Sequence, residues 1–156
     1  MFSILLFVIW LNFTNFANEI YFNFISCMGF FDFMKKSSLS KEEILELIHI
    51  FDDLRNKLME DAILRGNRMS LMSALMLHQV ACPVFYAWEK NGFGNIADFW
   101  KEDAAIDTYM KFKANPQDGL KKDLTLYQNG MFPLRTFDKD GSIQDKMVNL
   151  IKCLLK

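Results

Sequence analysis

A mainly α-helical fold, a compact bundle of about five helices, follows from three stretches of this chain. From Ile44 to Ala62, apolar residues recur at three- and four-residue steps, the period of one helix face. From Met69 to Ala81 they crowd a helix on most sides. From Ser142 onward, Ile143, Met147, Leu150, Ile151 and Leu154 again mark a single buried stripe.

The first helix starts at a capping box, Ser40 with Glu43, in which each side chain satisfies an orphan amide of the first turn. It runs to about Gly66, with Ile44, Leu47, Ile48, Phe51, Leu54, Leu58 and Ala62 inward and Glu42, Glu46, His49, Asp53, Lys57 and Glu60 outward. The second helix spans about Arg68 to Cys82 and is expected at the centre of the fold. Pro83 lacks the amide that a helix interior needs, so a break or kink is expected there, with residues 84–90 continuing as a short helix. Asn91-Gly-Phe-Gly-Asn reads as a turn. Ile96 to Ala114 reads as one helix, capped by Asn95 with Asp98 in its first turn and stopped by Asn115-Pro116. Leu120 to Gln128 reads as a short helix closed by Asn129-Gly130. Helix is the favoured reading there, and a short hairpin over 124–137 turning at Asn129-Gly130, restricted to an edge by Pro133, is its alternative. Ser142 is the expected cap of the last helix.

Composition changes sharply at Met28. Residues 1–27 hold no Lys or Arg, and 18 of these 27 are Phe, Ile, Leu, Asn or Tyr. This apolar leader lacks the basic start of a secretory signal, and Asn12, Thr14, Asn15, Asn18 and Glu19 interrupt a spanning run. Three readings are open: a start misassigned upstream of Met28, a membrane anchor over residues 1–25, or an element of the domain. The first implies a cytoplasmic protein and the second an anchored one. Residues 28–156 read as a single helical domain.

Charge narrows the function. The chain carries 18 Lys and Arg, all after Met28, against 19 Asp and Glu. A neutral domain offers no electrostatic reason to bind nucleic acid, where affinity rests on neutralising phosphates. The three cysteines, Cys27, Cys82 and Cys153, are widely spaced, which suits neither a disulfide framework nor a structural zinc site.

The constellations that could carry chemistry are weak. Glu46-Leu-Ile-His49 puts a carboxylate and an imidazole on one helix face, with Asp53 beside them, the half-motif of a carboxylate-bridged metal centre. A metal-dependent enzyme using Glu46, His49 and Asp53 is therefore one reading, and a solvated face is the plainer one. Residues 136–147 partly match a calcium loop through Asp138, Asp140, Gly141 and Ile143, but Thr136 and Met147 stand where charged anchors are needed. His78 and Cys82, one helical turn apart, lie among apolar neighbours that do not favour a thiolate. No phosphate-binding glycine loop or nucleophile elbow occurs, so no cofactor and no catalytic set are expected.

Aromatic residues remain. Phe85, Tyr86, Trp88, Phe93, Phe99 and Trp100 surround the Gly92–Gly94 turn. Trp88, Glu89, Phe93, Asp98, Trp100, Glu102 and Asp103 are the expected face for another protein, because aromatic anchors carry much interface energy. Core packing is the competing role for the same rings, as it is for Met69, Met72 and Met76. The expectation is a non-catalytic protein-binding domain of the bacterial immunity or antitoxin type by size and charge. A membrane-anchored accessory protein is its rival.

Overall fold

The computed structural model describes residues 39–156, which form one unit; the apolar leader and its three readings lie outside the described residues. Five α-helices make up the unit: α1 (Lys41–Arg65), α2 (Arg68–Lys90), α3 (Asp103–Ala114), α4 (Pro116–Gln128) and α5 (Ser142–Leu154). A single 3-10 turn, Ile96–Asp98, precedes α3, and there is no strand among the described residues.

α1 forms where its stripe predicts. The Ser40 hydroxyl accepts from the Glu43 amide at 3.2 Å, and the Glu43 carboxylate accepts from the Ser40 amide at 2.8 Å. Ile44, Leu47, Ile48, Phe51 and Leu58 are buried against α2. Gly66, at φ +62°, ends the helix in the left-handed region. Asn67 then caps α2, its side chain accepting from the amides of Met69 and Ser70. α2 packs on α1, α3 and α5 and supplies the largest share of the core.

Four local expectations need correction. α2 does not break at Pro83 but runs unbroken to Lys90. Interior proline costs a helix about 3 kcal/mol. Burial of Val80, Ala81, Val84, Phe85, Ala87 and Trp88 on both sides of it outweighs that cost. The helix expected over 96–114 is divided at 99–102, because Trp100 turns fully into the core there.

The short hairpin near 124–137 is absent. Asn129-Gly130 closes α4 instead, with Gly130 at φ +75°. The Gly130 and Met131 amides donate back to the Tyr127 and Leu126 carbonyls, a Schellman closure. The stop expected at Asn115-Pro116 does end α3 at Ala114, and Pro116 then starts α4 at the position where a missing amide costs nothing. Finally, Ser142 is the first residue of α5 and not its cap. The buried Asp138 carboxylate reaches forward and accepts from the Ile143 and Gln144 amides at 3.0 and 2.8 Å. That use of Asp138 gives the calcium-like segment a purely structural role.

Candidate functional site

The residues expected to form a protein-binding face fall in two places. Trp100 is fully buried and Trp88 is 5% exposed. The aromatic anchors are therefore core, which corrects the expectation of an aromatic docking face. The physical reason is ring stacking: Phe85 meets Trp100 edge-on at 4.9 Å, and Trp88 meets Phe93 and Phe99 at 5.1 and 5.5 Å. Lys41, at the start of α1, sits 5.7 Å from the Trp88 ring and 5.5 Å from Phe93.

The polar members of that set are engaged in folding. Asp98 accepts from the Asn95 amide at 2.8 Å in a second capping box. Glu89 accepts from Lys113 at 2.5 Å and from the Tyr109 hydroxyl, and these two bonds hold its carboxyl below the usual range. Glu102 accepts from Arg55 at 3.1 Å. Asp103 alone stays open, exposed in the first turn of α3.

Trp100 anchors a polar cluster that draws on three parts of the chain. Its indole Nε1 donates to Asp52 at 3.0 Å, and the Arg55 guanidinium lies 4.9 Å over its ring. Arg55 in turn bridges Asp52 at 2.9 Å and Glu102 at 3.1 Å, while His78 stands 5.5 Å from the indole. Burial holds the His78 pKa below its ordinary value, opposed by Glu102. The cluster thus contains a neutral imidazole, a paired guanidinium and two paired carboxylates. These contacts fasten α1 and α2 to the segment before α3.

The remaining candidate groups are likewise disposed. Glu46 pairs with Lys146 of α5 at 2.7 Å, while His49 and Asp53 face solvent. Among the described residues no three His, Cys, Asp or Glu side chains are placed to share a metal ion, which corrects the metal reading of Glu46, His49 and Asp53. The Cys82 thiol donates to the His78 carbonyl at 3.2 Å, and burial pushes its pKa up to about 12, so it is no thiolate at neutral pH.

Asp123 on α4 is the exception among the carboxylates. It makes no hydrogen bond or ion pair among the described residues, and burial raises its pKa to about 6 against the weaker pull of Lys122. In the unfolded chain the group titrates near its ordinary value of 3.8. Between that value and about 6 the folded state holds the proton and the unfolded state does not, so stability falls as pH rises across this window. Above it the penalty is constant. Asp123→Asn is therefore expected to stabilise the fold at pH 7.5 by about 1–2 kcal/mol, less than the full shift converts to because the carboxyl is only half-buried and solvent screens it, and to have little effect at pH 4. Urea titrations at the two pH values check this, and equal effects at both would refute it.

One feature escaped the sequence reading. Ile63 and Leu64 at the end of α1, and Met69, Leu71, Met72, Leu75 and Met76 on the first turns of α2, are all exposed, Ile63 by 72% and Met69 by 74%. They lie at the hairpin end of α1 and α2, whereas α2 is buried at nearly every position from Leu77 to Trp88. By length and composition α2 is apolar enough to cross a membrane, yet only half of its most apolar window is buried. The signal was its all-round apolarity, which was assigned to the core. A helix at the edge of a small bundle has too few neighbours to bury its whole circumference.

No family model, curated protein or solved structure matches this chain.

Proposed function

We propose that the chain is a non-catalytic binding domain that docks a protein surface on the outer face of the α1–α2 hairpin. The supporting observation is that face: seven large apolar side chains, three of them methionine, exposed together on two adjoining helix ends. Soluble monomers rarely expose contiguous apolar patches beyond a few hundred Å². Methionine suits such a surface because its unbranched, polarisable chain adapts to the shape it meets. The Trp88–Asp103 region contributes rigidity to this reading and not contacts. Size and neutral charge led to the immunity or antitoxin expectation, and no residue on the hairpin face adds to it.

The test is a pull-down of the full chain, tagged at its carboxyl end, against the double variant Met72→Asp, Leu75→Asp. Both side chains are exposed, so the melting temperature should move by no more than a few degrees. The association should be lost. Retention of every bound protein by a folded double variant would refute the proposal.

A further inference from the structure

The exposed stripe on α2 is nearly symmetric along its own length. Its outward residues are Arg68, Met69, Leu71, Met72, Leu75, Met76 and Gln79. About a midpoint between Ser73 and Ala74, six of these seven fall into equidistant pairs: Met72 with Leu75, Leu71 with Met76, and Arg68 with Gln79; Met69 stands outside the pairing, because the position equidistant from it is the buried His78. Arg68, Met72, Leu75 and Gln79 follow one another at steps of four, three and four, the spacing of a helix–helix seam.

We infer that the occupant of this face is a second copy of the chain, joined by antiparallel packing of α2 on α2 about a twofold axis through that midpoint. This rests on the reading of the face as a protein interface and names its partner. A twofold axis applies one surface to itself, so a residue on one side must suit its own symmetry mate's position. Here the paired apolar residues meet one another: Met72 faces the partner's Leu75, and Leu71 faces the partner's Met76. Each end places the Arg68 guanidinium against the partner's Gln79, whose side-chain carbonyl can accept from it. Ile63, Leu64 and Met69, clustered at the start of the stripe, then flank the far end of the partner's stripe.

Charge selects the antiparallel direction. Arg68 is the one charged residue of the stripe, and antiparallel packing keeps its two copies about 16 Å apart, at 1.5 Å of rise per residue. Parallel packing would set the two guanidinium groups side by side. Area supports a stable pair as well. At about 200 Å² for a fully exposed residue of this size, the seven apolar side chains present on the order of 800 Å², the share each partner gives to a standard interface.

Sedimentation velocity of the full chain between about 1 and 100 μM, where weak to moderate pairs dissociate, is the test. A monomer–dimer equilibrium is expected. Met72→Asp should leave the chain monomeric with unchanged helicity. Gln79→Glu sets a carboxylate opposite Arg68 at both ends and should tighten the dimer by roughly three- to tenfold. Gln79→Lys should loosen it by a similar factor. A chain monomeric throughout the range overturns the inference, as does a dimer indifferent to these three changes. Flotation of a monomeric chain with phosphatidylcholine–phosphatidylglycerol vesicles would likewise overturn it. If the chain stays monomeric while Met72→Asp, Leu75→Asp still abolishes capture of a different protein, the second-copy inference fails and the binding proposal stands. If neither assembly nor capture responds, both fail.

Discussion

Trp100→Ala is expected to lower the unfolding free energy by about 3–5 kcal/mol, the usual range for deleting a buried indole. The ring is fully buried, packed on Phe85 and His78, and its loss opens a cavity where α1, α2 and the 99–102 segment meet. A second cost arises from its partners. Asp52 loses the indole donor at 3.0 Å, and Arg55 loses the ring face beneath it. Trp100→Phe separates the two contributions, because it keeps most of the apolar volume and removes the donor. That variant should cost about half as much. Urea unfolding followed by far-ultraviolet circular dichroism measures both. A Trp100→Ala protein as stable as the wild type would mean that this ring does not close the core.

Gly94→Ala is the second large effect. Gly94 adopts φ +145°, which side-chain-bearing residues rarely reach, at a cost of about 1–3 kcal/mol. An added Cβ would also stand 2.9 Å from Trp88 Nε1 and closer still to the Asp98 carboxylate. Asp98 would have to give way, releasing the Asn95 amide that it caps at 2.8 Å. The total should reach about 3 kcal/mol, with cap loss supplying about one of them. Gly92→Ala is the control. Its φ of +73° also favours glycine, but no atom lies within 4 Å of the added Cβ. It should cost about 1 kcal/mol, the strain of the left-handed region alone. Equal losses at positions 92 and 94 would refute the steric account of the turn.

How far the sequence revealed this fold varies with the range of the forces involved. The start of α1 and its stripe were legible residue by residue, because capping and periodicity act within a few residues of chain. Ser40 with Glu43, and Asn95 with Asp98, form the boxes that their spacing implies. The failures and the alternatives left open came where distant packing decided between local options. Asn129-Gly130 suits both a hairpin turn and a helix end, and α4 packing on α5 selects the latter. Asp138 was visible as a calcium-loop residue, but its bonds to the start of α5 depend on a turn that short motifs do not specify. The candidate site was less legible still. Trp88 and Trp100 have the composition of interface anchors and the positions of core residues, whereas the methionines of α2 have the reverse.

Pro83 gives α2 a mechanical property that its continuous outline conceals. Without a proline amide, the Gln79 carbonyl has no partner one turn ahead, and the helix lacks a single rung. On one side of that gap lie Val84, Phe85, Ala87 and Trp88, locked among other rings. On the other lie the exposed leucines and methionines. Amides of the outer half should therefore exchange with solvent deuterium well before those of the inner half. The missing rung is the weakest point along the helix backbone, set between a half enclosed by core rings and a half that buries one face on α1 and turns the other to solvent.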